Sequence, residues 1–81
     1  MAPYVVYVLQ SLKDPERYYV GLCKDLEHRL AEHNSGESAY TVRYRPWKVI
    51  VSISFESLRK AEAFEKYLKS GSGRTFCRRH F

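Results

Sequence analysis

The chain has 81 residues, 44% of them hydrophobic and 15% aromatic, and a formal net charge of +5. A chain this short holds one core, so residues 1–81 read as a single domain, and its mixed apolar and charged content excludes disorder. No apolar run approaches the roughly 20 residues needed to cross a bilayer, and no signal-peptide pattern is present, so no membrane partner and a cytoplasmic location are expected. Cys23 and Cys77 lack the spacing of a zinc or redox motif, and free thiols are expected. The charge is uneven. Residues 1–36 carry four Lys/Arg against five acids, whereas residues 37–81 carry ten against four. A basic half on a small domain favours polyanionic partners, with nucleic acid the usual one.

Tyr4 to Leu9 is β-branched and aromatic throughout, which predicts a strand covered on both faces. Lys13-Asp14-Pro15-Glu16 has turn chemistry, and Arg17 to Gly21 follows as a second strand, so the two form an antiparallel hairpin. Asp25 caps a first helix that Gly36 stops, with Leu26 and Leu30 one turn apart on its core face. Glu37 to Pro46 has no clear period and reads as a loop rich in Tyr and Arg. Trp47, Val49, Val51, Ile53 and Phe55 then alternate with mostly smaller or polar residues, predicting a third strand with one dominant core face. Ser57 caps a second helix to about Lys69, which Gly71 and Gly73 break, and the basic tail from Arg74 to Phe81 forms a short final turn. The expected fold is α+β, a sandwich of three antiparallel strands and flanking helices in the order β-β-α-β-α.

Three features stand out from this scaffold. At ~100° per residue, Leu58, Ala61, Phe64 and Leu68 form one apolar stripe of the second helix, and Glu65 falls inside it. A carboxylate there needs a cation, a proton or a way out to solvent, and Lys69 one turn on is the plain structural partner. On the first helix, Arg29 and His33 lie one turn apart beside the Leu26/Leu30 stripe, where a guanidinium suits bidentate phosphate binding. Tyr7 and Tyr19 fall near the middles of the hairpin strands. Singly, each of these has a structural reading: a core tyrosine, a snorkelling arginine, a half-exposed histidine. Their combination around one sheet lifts the functional reading.

Val5-Val6-Tyr7 followed by Tyr19-Val20-Gly21 resembles the paired motif that names the GIY-YIG nucleases. Asp25-Leu26 to Arg29 and His33-Asn34-Ser35-Gly36 resemble that family's first-helix signature. Arg45-Pro46-Trp47 precedes the third strand as in its small single-domain members, and Ala61, Glu65 and Tyr67 to Gly71 resemble their second-helix segment. The likeness covers nearly the whole chain in order and is nearest to small bacterial proteins related to the N-terminal nuclease domain of a DNA-repair excinuclease. Two departures are visible: Val5 replaces the first glycine of the name motif, and Leu22 stands where some members have a lysine that assists the water.

The resemblance implies a metal-dependent endonuclease that hydrolyses phosphodiester bonds in DNA, in repair or processing. It implies a catalytic set of Tyr7, Tyr19, Arg29, His33, Asn34 and Glu65. Glu65 would hold one divalent cation, Mg²⁺ or Mn²⁺, and Arg29 would stabilise charge on the scissile phosphate. Tyr19 or Tyr7 would orient or deprotonate the attacking water, with His33 and Asn34 in support. A tyrosine serves as base only if nearby cations lower its pKa. The expected nucleic-acid contacts are Arg43, Arg45, Lys48, Arg74, Arg78 and Arg79, together with Lys24 and Lys69. The expected partners are DNA, structured or branched, and, since no DNA-reading element is apparent, a protein that supplies target specificity. The alternative is a binding module that keeps this fold with little cleavage of its own.

Overall fold

The computed structural model of the protein describes residues 3–81. Strands β1 (Tyr4–Ser11), β2 (Tyr18–Cys23) and β3 (Trp47–Phe55) form one antiparallel sheet in the order β2-β1-β3, so both later strands are edges. Helix α1 (Leu26–Ser35) packs on one face; α2 (Leu58–Lys69) and α3 (Gly71–His80) pack on the other. The expected three-stranded α+β fold is therefore observed, with a third helix added. No helix among the described residues is long and apolar enough to cross a membrane.

The helix ends follow the local chemistry of the sequence. Asp25 accepts from the His28 amide at 3.1 Å, and Gly36 closes α1 at φ 90°, a left-handed conformation that glycine adopts without penalty. Ser57 accepts from the Lys60 amide at 3.2 Å and starts α2.

Two expectations need correction. The tail is a ten-residue helix rather than a short turn, because Ser70 caps it by accepting from the Gly73 amide at 3.1 Å. Gly73 is not a breaker there. A Cβ at that position would overlap the Tyr67 carbonyl and Leu68 Cα, so its bare backbone lets α3 fold tightly against α2. The third strand also lacks a single core face. β1 pairs Val8 with Val51 but Leu9 with Val49, which leaves Ile50 as an extra residue at a bulge. Trp47 and Val49 consequently pack on the α1 face, and Val51 and Phe55 on the α2 face. The loop before it also holds a 3₁₀ turn over Thr41–Tyr44.

The central strand feeds both cores. Val6 and Val8 pack with Val20, Ala61, Leu68 and Cys77; Tyr7 and Leu9 pack with Cys23 and Trp47. The two cysteines are free and lie in different cores, and burial pushes both thiols above their ordinary range.

Candidate active site

Tyr7 sits in the central strand and is fully buried on the α1 face. Its register partner on β2 is Gly21, and a Cβ there would overlap the Tyr7 ring at its hydroxyl end. The tyrosine of the first motif and the glycine of the second are thus one packing unit. The ring crosses the neighbouring strand through space that only glycine leaves open.

The last turn of α1 delivers His33 to that hydroxyl. Its Nε2 is 3.0 Å from the Tyr7 oxygen and its Nδ1 is 2.8 Å from Oγ1 of Thr41, and all three side chains are buried. The indole N–H of Trp47 donates to the Thr41 carbonyl at 2.8 Å, holding the 3₁₀ turn against the strand. Asn34 clamps the other side of α1 to β3: its Oδ1 accepts from the Trp47 amide at 2.6 Å and its Nδ2 donates to the Trp47 carbonyl at 3.2 Å. Asn34 therefore fixes the helix and does not hydrogen-bond the tyrosines. The Tyr19 ring lies 4.8 Å from His33 and 6.4 Å from Tyr7, and on its far side 6.0 Å from Tyr40. Among the described residues no buried side-chain polar atom lacks a partner.

Burial sets the protonation of this cluster. Desolvation, helped by neighbouring Tyr19, holds the Tyr7 phenol well above its ordinary pKa, and nearby Arg29 only partly offsets it. Tyr7 therefore keeps its proton at neutral pH. Arg29 alone does not supply the lowered pKa that a directly ionised Tyr7 base requires. Desolvation followed by the Arg29 charge pushes His33 below its ordinary pKa, against a smaller opposing effect from Glu32, so His33 is neutral. Arg29 itself is exposed, with its Nε 3.1 Å from Glu32.

Glu65 lies across the sheet on α2. Its side chain is only 23% exposed, and its carboxylate is held by Lys69 Nζ at 3.0 Å, the partner that i,i+4 spacing offers. No hydrogen bond or ion pair among the described residues joins it to Tyr7, Tyr19, Arg29 or His33. The path of α2 nevertheless brings it beside the same strand. Leu58 shares a depression with Leu22, Cys23 and Arg29, while Leu68 and Lys69 share another with Tyr18 and Tyr19. Helix α2 thus runs beside β2, with its first residue lining one depression and its last residues the other, and Glu65 is in neither lining. No three His, Cys, Asp or Glu side chains cluster among the described residues. A lone, partly desolvated carboxylate fits a hard ion that keeps most of its ligands as water, as Mg²⁺ does.

The expected nucleic-acid contacts divide. Lys69, Arg74 and Arg78 gather with Arg17, Tyr18, Tyr19 and Tyr40 around a groove of about 540 Å³. Lys24 joins His28 and Arg29 at the second depression, of about 450 Å³. Arg79 is exposed on α3. Arg43 lies within the 3₁₀ turn and Arg45 just after it, where Arg45 reaches the Asn34 carbonyl within 3.5 Å. Lys48 is exposed on β3, the sheet edge away from β2. Sequence reasoning missed Thr41, which a loop without periodicity gives no means of ranking. It also missed Arg17 and Tyr18, whose signal was their adjacency to Tyr19.

Comparison with known proteins agrees with this geometry. The model of the GIY-YIG catalytic domain matches residues 3–77. The UPF0213 protein YsiG of Lactococcus lactis is 39% identical over 70 residues, covering 85% of this chain and 65% of its own length. The UPF0213 protein H16_B0156 of Cupriavidus necator is 36% identical over 76 residues, covering 89% of this chain and 80% of its own. The structure-specific endonuclease subunit SLX1 of Meyerozyma guilliermondii is 38% identical over 72 residues, which is 82% of this chain but 24% of that protein. With the motif tyrosines, the helix-borne arginine and histidine and the α2 glutamate all in the matched span, the chain belongs to the GIY-YIG nuclease family.

Proposed function

We propose that the protein is an endonuclease that hydrolyses phosphodiester bonds in DNA, with Glu65 holding one divalent cation, Mg²⁺ or Mn²⁺. The observation that carries this reading is the buried Tyr7–His33–Thr41 chain, set beside Arg29 and Tyr19 at the edge of a basic groove. Hydrolysis needs a deprotonated water, and Tyr7 alone is a poor base because burial keeps its proton in place. Neutral His33 at 3.0 Å supplies the remedy. Tyr7 passes its proton to Nε2 as its oxygen accepts one from the attacking water, and Thr41 holds the opposite ring nitrogen. Arg29 neutralises charge developing on the scissile phosphate. Glu65 would hold the cation, which would supply acidification of water and neutralisation of developing charge.

The SLX1 relatives are named as subunits of structure-specific endonucleases. By that analogy we extend to this chain a structured or branched DNA substrate and a protein partner that directs it; a place in DNA repair or processing and a cytoplasmic location are our reading of the sequence. The chain spans 65% of YsiG and about a quarter of SLX1, so these features rest on the catalytic domain alone. Nicking of a supercoiled plasmid in Mg²⁺ or Mn²⁺, against a chelated control, tests the proposal. Metal-dependent nicks support it, whereas salt-sensitive binding without nicks means that the fold serves only to bind.

A further inference from the structure

We propose that the groove at the β2 edge is a binding site for an unpaired DNA strand, with Tyr40 as its stacking surface and Arg17, Lys69, Arg74 and Arg78 as phosphate contacts. The proposal rests on the nuclease reading for the identity of its polyanion and goes beyond it in the form of the strand. Its four cations come from separate parts of the chain: the turn before β2, the end of α2, and two successive turns of α3. Glu16 is the one acid in the lining. Arg74 and Arg78 stand one turn apart on α3, where like charges repel, and neither is in an ion pair among the described residues. Arg17 pairs with Asp14 at 3.4 Å and lies over the Tyr44 ring, which orients it without burying it. Lys69 pairs with Glu65 at 3.0 Å, so Arg74 and Arg78 are the groove cations left uncompensated among the described residues, and they are what favours an anion there.

The aromatic lining decides which form of nucleic acid. Tyr40 is 51% exposed, a large ring left in solvent beside Tyr19 and Tyr44. Base faces are available to such rings only in an unpaired strand, since a duplex hides them in its own stack. The groove also leads somewhere. Tyr19 is in its wall and touches His33 on the other side, and the second depression, with Lys24, His28 and Arg29, lies at the far end of β2. β2 has six residues and so spans roughly 17 Å. A strand laid along its free edge would pass the tyrosine cluster between two basic ends.

Fluorescence anisotropy of a labelled 20-nucleotide oligo-dT, in chelator so that nothing is cut, tests this against a duplex and an oligo-U of equal length. The parent should bind oligo-dT about tenfold more tightly than duplex and lose affinity steeply between 50 and 200 mM salt. Tyr40→Leu should weaken oligo-dT binding roughly tenfold, with duplex binding little changed. Arg74→Ser with Arg78→Ser should flatten the salt dependence. Tyr40, Arg74 and Arg78 are exposed, so these variants should melt like the parent. Duplex binding equal to oligo-dT, or Tyr40→Leu binding oligo-dT as the parent does, overturns the site. Preference for oligo-U over oligo-dT overturns the assignment to DNA. Failure of the nuclease reading would show separately, as a parent that binds oligo-dT in the groove yet cuts no substrate in either metal.

Discussion

The two faces of the sheet are built on different principles. The α2/α3 face is an apolar core in which Val6, Val8, Val20, Ala61 and Leu68 meet, and the buried polar side chains of the described residues, Ser11, His33 and Thr41, are not part of that cluster. The α1 face buries Tyr7, His33, Thr41 and Trp47 together, each polar atom partnered by another member or by backbone. An apolar core tolerates changes that keep its volume, whereas a buried polar network loses much when one partner goes. The Tyr7–His33–Thr41 chain proposed for the chemistry therefore belongs to the face where geometry is most tightly specified. The opposite face supplies Glu65 and the groove cations from its rim.

The largest effect expected from breaking that contrast is on rate. Glu65→Gln keeps shape and removes the charge a divalent ion needs, so nicking should fall by orders of magnitude while DNA binding and folding hold. If the carboxylate serves only Lys69, activity is unchanged and stability shifts by at most about 1 kcal/mol; parental nicking in this variant would end the metal-ligand assignment. Tyr7→Phe should likewise abolish nicking. It should also cost about 1–3 kcal/mol in urea melts, because the buried His33 Nε2 is left without its partner. A Tyr7→Phe protein as active as the parent would remove Tyr7 from the chemistry.

Packing changes should come next. Gly73→Ala places a methyl against the α2 backbone and should destabilise by about 1–3 kcal/mol, whereas a Cβ at Gly71 meets nothing within 4 Å. Gly71→Ala should be neutral or stabilising by less than about 1 kcal/mol. Equal melting temperatures for the two variants would contradict the close α2–α3 approach.

The smallest effect expected is on pH dependence. The folded pKa of His33 is lowered, so above the ordinary histidine value near 6.5 both folded and unfolded chains hold it neutral, and stability is full. As pH falls through 6.5 the unfolded chain takes up the proton first, and stability declines toward the lower folded pKa. His33→Gln should remove this component from a urea-melt series between pH 7.5 and 5. An unchanged slope would place the titration elsewhere.

Much of this was legible in the residues. Asp25, Gly36 and Ser57 marked helix ends through capping chemistry that depends only on nearest neighbours in sequence. The motif tyrosines, Arg29, His33 and Glu65 could be picked out by period and by likeness. The tail was misread because Gly71-Ser72-Gly73 has poor helix propensity, and only the contact of Gly73 with α2 supplies the compensating reason for it. The alternation of β3 was misread because the bulge at Ile50 is set by pairing with β1, which local pattern does not encode.

Sequence by itself determined the order of the strands and first two helices and the basic second half, since these follow from side-chain type and short-range spacing, while the residues proposed for phosphodiester chemistry came from the family likeness. Tertiary structure decided which of them meet. Tyr7 and His33 are 26 residues apart yet share a hydrogen bond, and Gly21 is needed because of a ring that belongs to another strand. Arg17, Lys69 and Arg78 form one groove only because β2, α2 and α3 converge on a sheet edge. Contacts of that kind arise from packing between distant segments, and so only the folded chain reveals them.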